Sequence, residues 1–245
     1  MKDSYEGAEK RGVPSLVWRT GQDRRLKMIE QAAGRRLSPE SKVLVDGCGV
    51  GMYVRALRHF TPHVVGLDVE PERVATSYQR SPLVNVGAGE KLPYRSDYFD
   101  LILSHEVIEH VADDARYMAE MVRVLKKKGR AVVFCPNRLY PFETHGHYWQ
   151  GRYHFGNTPL INYLPDKLRN KLAPHVRAYT SANLKKLIAG LPVRIATHTQ
   201  IYPGYDNVVA RSRLAGRLLR SITYAFEQSP LRLFGLSHLL VIEKI

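Results

Sequence analysis

Acidic residues are in short supply in this sequence. It holds 23 Asp and Glu against 37 Lys and Arg, a formal net charge of +14 at pH 7. That excess draws the protein toward something acidic, whether a nucleic acid, an anionic membrane face or a phosphorylated substrate, or leaves it with a solvated basic surface. Cysteine is scarce too. Only Cys48 and Cys135 are present, both at the ends of strand-like runs, which excludes a disulfide scaffold and makes a reducing cytoplasm the expected location. No run of about 18 apolar residues occurs, so a transmembrane helix is not expected. The opening residues, MKDSYEGAEKRG, lack the apolar stretch of a signal peptide. There is no internal repeat and no low-complexity segment.

What is present is ample apolar material, 44% of 245 residues, enough for one α/β domain with decorations. Leu26, Ile29 and Ala33 share a stripe at helical spacing, which predicts a helix over Gln22 to Ala33. KVLVDG then reads as a buried strand ending in a tight turn. A helix over Met52 to His59, the strand HVVGLDV, a helix opened by Pro71 and the strand LVNVG follow. DLILS is a fourth strand, with a helix expected over EVIEHV and another over Asp114 to Leu125 before the strand AVVFCP. Strands alternating with helices imply a parallel sheet covered on both faces, in a doubly wound α/β fold. Residues 1–40 read as an N-terminal helical lead-in and 41–245 as a single domain. That domain carries two insertions: an irregular stretch at 137–178, rich in Tyr, His, Pro and Arg, and a basic one at 203–235. Between and after them SANLKKLIAG is helix-like, PVRIATHTQI strand-like, and LSHLLVIEKI reads as a closing strand.

The strongest local signal is VLVDGCGVG, Val43 to Gly51. Gly47, Gly49 and Gly51 alternate between strand and helix, where glycine lets the backbone turn sharply and approach a ligand. The helix that follows presents free N–H groups there. A dinucleotide turn would read G-x-G-x-x-G, and Met52 takes the place of its third glycine. Asp46 just before the turn would repel a pyrophosphate yet could receive a cationic amino group. S-adenosylmethionine, with an ammonium, a sulfonium and no phosphate, suits that chemistry better than a nicotinamide dinucleotide does. Asp68, 22 residues after Asp46, ends the second strand, where an acid can accept both hydroxyls of a ribose.

VDGCGVG, then VVGLDVEPERV, then NVGAGEKLPYRSDYFDLILSHEVIEHV together resemble the class I S-adenosylmethionine-dependent methyltransferases of the type 11 and ubiquinone-biosynthesis kind. The resemblance covers residues 20 to 136 well and the remainder loosely. It implies a Rossmann-like, mostly parallel seven-stranded sheet with helices on both faces. It also implies cofactor contacts at Asp46, Gly47, Cys48, Gly49 and Gly51 in the loop, at Asp68 on the ribose and at Val69 on the adenine. GAGEKLPY matches a segment that usually reads G-D-A-E-x-L-P-F. Ala88 stands where the family's adenine-gripping Asp would be, so the adenine is left to the backbone of Gly89 and to packing. Ser104 and His105 match the segment under the methionine moiety. Arg25 matches an arginine that approaches the cofactor carboxylate, although Arg24 can equally be the inward one.

Methyl transfer is an in-line displacement at an activated carbon, so alignment and water exclusion dominate and a base is optional. No Asn-Pro-Pro-Tyr sequence follows the fourth strand, which argues against amino methylation of bases. Glu106, Glu109 and His110 stand at i, i+3 and i+4, hence on one face if that segment is helical, and such a trio can hold a divalent metal or move protons. The ubiquinone-type enzymes resembled here carry a similar E-x-x-E-H sequence. PFETHGHYWQGRYHF, in the acceptor-side insertion, gathers Glu143, His145, His147 and His154 among aromatics after the fifth strand, a position above the methyl group that makes it part of the expected acceptor pocket. His145 is the candidate base, since imidazole titrates near neutrality, and Glu106 is a second catalytic candidate. No pair-plus-pair spacing for zinc appears.

Residues 211–233 mix five arginines with Leu214, Leu218, Leu219, Ile222, Tyr224 and Phe226. Such a stretch suits peripheral contact with an anionic membrane, RNA phosphates, or a helix pair over the core. The expectation is an S-adenosylmethionine-dependent methyltransferase acting on oxygen of a small-molecule or lipid-linked acceptor, with nucleic acid an improbable partner. The alternatives are a cofactor-binding protein of lost or regulatory activity, an RNA methyltransferase, or a nicotinamide oxidoreductase.

Overall fold

The structure is a computed structural model that describes residues 18–79 and 83–245. Seven strands form the central sheet: β1 (Val43–Asp46), β2 (Val64–Asp68), β3 (Val84–Val86), β4 (Phe99–His105), β5 (Leu125–Pro136), β10 (Val193–Ile201) and β11 (Ser237–Lys244). Their order is β10-β11-β5-β4-β1-β2-β3. β1 to β5 run parallel, while β11 is antiparallel to both β5 and β10.

Alternation along the strands explains why both faces are covered. Val43 and Val45 of β1 join Leu101, Leu103, Val132 and Phe134 in a core beneath α1 (Thr20–Ala33), α2 (Met52–Leu57) and α3 (Pro71–Tyr78). Leu44, between those two valines, points the other way, as a period of two requires. There it meets Ile102 and Val133 under α4 (Asp114–Val124) and α6 (Ser181–Ile188). Truncating a fully buried leucine or isoleucine in either core, such as Ile102, costs about 2–5 kcal/mol. Among the described residues both cysteines are free and buried.

The lead-in is integral to the domain. α1 carries Ile29 and Ala33 into the core, and residues 1–17 of the expected lead-in lie outside the described residues. Stretch 137–178 is more ordered than its composition suggested. β6 (Phe142–Glu143) pairs with β9 (Thr158–Pro159), β7 (His147–Trp149) with β8 (Arg152–His154), and α5 (Asp166–Leu172) follows. The basic insertion folds as α7 (Asp206–Arg211), α8 (Arg213–Phe226) and a 3-10 turn over Pro230–Phe234.

One expected element is absent. Glu106 to Val111 is a succession of turns, not a helix. Glu106 has φ 56°, a left-handed conformation that cannot be part of a right-handed helix. The reasoning that put Glu106, Glu109 and His110 on one helical face therefore fails.

Candidate active site

In a parallel sheet the carboxyl ends of the strands, where the strand order reverses, form the natural crevice. Here that point lies between β1 and β4, and a cleft of about 660 Å³ opens over it. The glycine turn forms one wall, with φ 73° at Gly47, 51° at Gly49 and 80° at Gly51. A Cβ on Gly47 would lie 2.2 Å from a Val107 methyl, and one on Gly51 2.2 Å from the Ser77 hydroxyl. Glycine is thus required there on two counts, conformation and space. Asp68 secures the turn: Oδ2 accepts from the Gly49 N–H at 2.7 Å and Oδ1 from the Glu70 N–H at 3.0 Å. Beside it Val69 is 43% exposed on the cleft wall.

Asp46 forms the floor. It is 2% exposed, and its Oδ2 has no hydrogen-bond partner among the described residues. Burial pushes its pKa up to about 7, with Asp68 and Glu90 adding to the rise and the neighbouring Tyr117 hydroxyl opposing it. Tyr117 itself donates to Ser104 Oγ at 2.8 Å. Ser104 is fully buried and turned toward Tyr117, behind the cleft wall. Gly87, Ala88 and Gly89 line the opposite side. A Cβ on Gly89 would meet the Tyr117 ring at 2.2 Å and Asp46 Oδ2 at 2.8 Å. Tyr117 therefore compels the glycine after Ala88, and Asp46 Oδ2 lies buried close beside it. Cys48 lines the same wall, where burial pushes its thiol up to about 12 and keeps it an inert packing group.

Arg25, from α1, is the inward arginine. Its guanidinium meets His105 Nε2 at 2.7 Å, donates to Ser237 Oγ at 3.2 Å and lies 3.6 Å from Glu106 Oε1. Ser237 in turn donates to Glu106 Oε1 at 2.9 Å. Burial and then Arg25 hold the His105 pKa down to about 3, so the ring is neutral and accepts from Arg25. For Glu106 burial opposes ionisation, but Arg25, His105, His145 and the Ser237 hydrogen bond outweigh it and keep the pKa below the usual value. Arg24 faces elsewhere: it pairs with Glu227 and sits 3.7 Å over the Tyr224 ring.

At the far end of the cleft Glu109, His110 and His145 converge, with one potential ligand atom from each lying within 4.8 Å of the others. Glu109 is 1% exposed, and neither oxygen has a hydrogen-bond partner among the described residues. Burial, then the adjacent Glu106 carboxylate, push its pKa well above the ordinary range. His110 Nδ1 lies 3.2 Å from the His175 carbonyl, and His145 Nδ1 3.3 Å from Glu143 Oε1. With the Nδ1 protons in those bonds, both Nε2 lone pairs face Glu109, at 4.0 and 3.8 Å. Glu143 is held from behind by Arg169, 1% exposed, which donates to it at 2.8 Å. Burial resists ionisation of Glu143, yet the bonds from His145 and the charge of Arg169 take its pKa down to about 2. Glu106 stands beside this group, occupied with Arg25 and Ser237, and His145 takes its place in the predicted trio. His147 and His154 stack on each other with ring centroids 5.3 Å apart, outside the cleft.

Residues 44–133 match the methyltransferase domain family. The chain carries a class I methyltransferase domain. Its seven-stranded topology is that of an S-adenosylmethionine-dependent methyltransferase from Mesorhizobium loti, at TM-score 0.59 and 18% identity, covering 85% of this chain and 93% of the other. In sequence the domain is 31% identical over 131 residues to a probable S-adenosylmethionine-dependent methyltransferase of Mycolicibacterium smegmatis, covering 53% of this chain and 51% of that protein. It is also 31% identical over 105 residues to a ubiquinone biosynthesis O-methyltransferase of Bartonella quintana, covering 40% of this chain and 42% of that one. The chain spans about half the length of the curated relatives it matches. S-adenosylmethionine is the cofactor expected of a methyltransferase domain, and the cleft fits it on two counts. The glycine cradle leaves room that side chains would fill, and Asp46 presents an unpaired carboxylate oxygen suited to a cation.

Several lining residues were not singled out in the sequence, although Thr144 and Phe155 fall in the segment after the fifth strand that was expected at the pocket. Gln22, Tyr53, Arg73, Thr144 and Phe155 all face the cleft. Tyr117, under the floor, reads in the sequence as one more apolar position of its helix, and Arg169 as a surface charge. Tyr53 too carried a signal, one residue after Met52 at the start of the helix that the glycine turn introduces.

Proposed function

We propose that this chain transfers a methyl group from S-adenosylmethionine to an oxygen of a small-molecule or lipid-linked acceptor. The observation that carries this reading is Asp46, a buried carboxylate with a free oxygen at the end of β1, set between a glycine cradle and Gly89. A phosphate-bearing dinucleotide would meet repulsion there, whereas an ammonium or sulfonium neutralises a charge that burial disfavours. Bound in the cleft, S-adenosylmethionine supplies an electrophilic methyl group on a sulfonium. The chain's residues supply the rest. Asp68 and Val69 receive the ribose and the adenine, Arg25 stands ready for the cofactor carboxylate, and the cleft keeps water away.

His145 holds the acceptor's proton. Glu143 fixes its Nδ1 side, so Nε2 is the basic atom in the cleft, as a general base requires. Arg169 keeps Glu143 ionised, so its carboxylate holds the Nδ1 side of the ring in place. Glu109, neutral beside it, does not compete for that charge.

A second reading draws on Glu109. A fully buried carboxylate facing two imidazole Nε2 atoms, each ring braced through Nδ1, has the donor set of a borderline divalent ion such as zinc more than of magnesium. Glu109, His110 and His145 would hold it, and it would supply Lewis acidity toward an acceptor hydroxyl.

Titration calorimetry with S-adenosylhomocysteine tests the cofactor half, and labelled methyl transfer to fractionated metabolites the acceptor half. Saturable S-adenosylhomocysteine binding without transfer to any fraction would indicate a regulatory binder. Dinucleotide binding in its place would overturn the reading. Elemental analysis of the protein as purified separates base from ion: one equivalent of zinc, lost in Glu109→Gln, selects the ion.

A further inference from the structure

Helix α8 turns an apolar stripe outward. Leu214, Leu218 and Ile222 recur every four residues, hence on one face, and are 80%, 61% and 44% exposed. The opposite face carries Gly216 and Thr223, both buried. A Cβ on Gly216 would come within 2.7 Å of Val209 Cα, so α8 crosses α7 at close range. The polar groups of the inner side are matched as well. Arg220 bonds Asp206 Oδ1 at 2.9 Å and the Gly204 carbonyl at 2.6 Å, and Glu227 pairs with Arg24. Packing thus fixes the rotation of α8, and that rotation is the reverse of a solvated amphipathic helix, which hides its leucines. The 3-10 turn packs on α8 and adds Leu231, Leu233 and Phe234, each 44% exposed.

Charge frames the stripe. Arg213 and Arg217 lie one turn apart along its edge, Arg211 precedes them and Arg232 sits in the 3-10 turn, all exposed. None of the four has an acidic partner among the described residues, and no Asp or Glu occurs between Asp206 and Glu227. An apolar centre rimmed by unpaired arginines complements an anionic bilayer, acyl chains below and phosphates above. A second copy of the chain would set Arg213 and Arg217 against their own counterparts across a two-fold axis. RNA would satisfy the arginines and leave the leucines in water.

We propose that α8 and the 3-10 turn form a docking surface for an anionic phospholipid bilayer. The insertion also grips the start of α1. Asp206 accepts from the Gly21 N–H at 3.1 Å, and Asn207 from Arg19 at 2.9 Å. The next turn of α1 carries Gln22 and Arg25 into the cleft. Docking therefore brings the cleft to the bilayer, a place for an amphiphilic acceptor; that clause alone rests on the methyl-transfer reading.

The test is co-sedimentation of the full chain, without cofactor, with phosphatidylcholine vesicles and with vesicles that also contain phosphatidylglycerol. The anionic vesicles are expected to bind roughly tenfold or more tightly than the neutral ones. Leu214→Ser with Leu218→Ser lowers that binding roughly tenfold or more. Arg213→Gln with Arg217→Gln lowers it about five-fold per arginine. Both double variants keep the thermal midpoint and the S-adenosylhomocysteine affinity of the parent. Equal binding to both vesicles, no binding to either, or binding indifferent to the leucine variant overturns the proposal. Dimerisation that the leucine variant abolishes also overturns it, giving the face to a second copy. The readout needs neither cofactor nor methyl transfer, so the two proposals fail separately.

Discussion

At the end of the cleft proposed for the cofactor, the sheet supplies main-chain atoms and short side chains at the ends of β1 and β2, and Arg25 reaches in from α1. At the acceptor end they are longer side chains carried by turns, His110 on one and His145 on another, and braced through their ring nitrogens. The first kind of wall follows from the sheet itself. The second depends on buried charges, Glu143 and Arg169, that lie outside the sheet. The two ends should accordingly fail in different ways.

The largest expected effect is at the acceptor end. His145→Ala is expected to lower kcat by about 10²–10⁴-fold, the usual contribution of a positioned base, while calorimetry shows S-adenosylhomocysteine affinity unchanged. Equal losses in both would erase the distinction between the ends. Arg169→Met leaves Glu143 buried without its arginine counter-charge, which should cost about 3–5 kcal/mol in denaturant unfolding. Glu143→Gln in the same chain should recover part of that. At the cofactor end, Gly47→Ala places a methyl against Val107 and forces a left-handed backbone on alanine, at about 1–2 kcal/mol for the conformation alone. The readout is weakened S-adenosylhomocysteine binding, with Val107→Ala relieving the contact and not the backbone strain.

The smallest effect is the most diagnostic. Burial raises Asp46 from an ordinary value of 3.8 to about 7 in the fold. Its contribution to the stability of the free protein is thus present below about pH 4 and lost as pH rises through 7. A cationic ligand binds the ionised form, so affinity should climb with pH, by up to about tenfold per unit below 7, and level off above it. Asp46→Asn should flatten that profile and raise the stability of the free protein at pH 8. A flat profile in the parent would detach Asp46 from the ligand.

The same contrast governs what the sequence could say. The strand–glycine–helix signature and Asp68 are local, because a parallel strand and its turn are written in consecutive residues. β5 and the closing strand β11 were equally readable as apolar runs. EVIEHV misled because its apolar spacing is helical, while Glu106 adopts a left-handed conformation to reach Arg25 and Ser237, contacts from opposite ends of the chain. His145 was visible only as a histidine among aromatics. That it meets Glu109 and His110 depends on where β5 releases the chain, and no local pattern records that. Arg169 was invisible, since an arginine in a polar helix reads as surface until the fold closes over it.

Ser237, the first residue of β11, links Arg25 to Glu106. A nascent chain that has emerged only through residue 236 already holds the whole glycine turn and both of its acids, yet Arg25 and Glu106 lack the hydroxyl that links them and β5 has a bare edge. That wall of the cleft is thus completed late in synthesis, with the insertion of a strand far downstream of residues 44–133. A fragment limited to residues 44–133 would keep the signature and lose the grip.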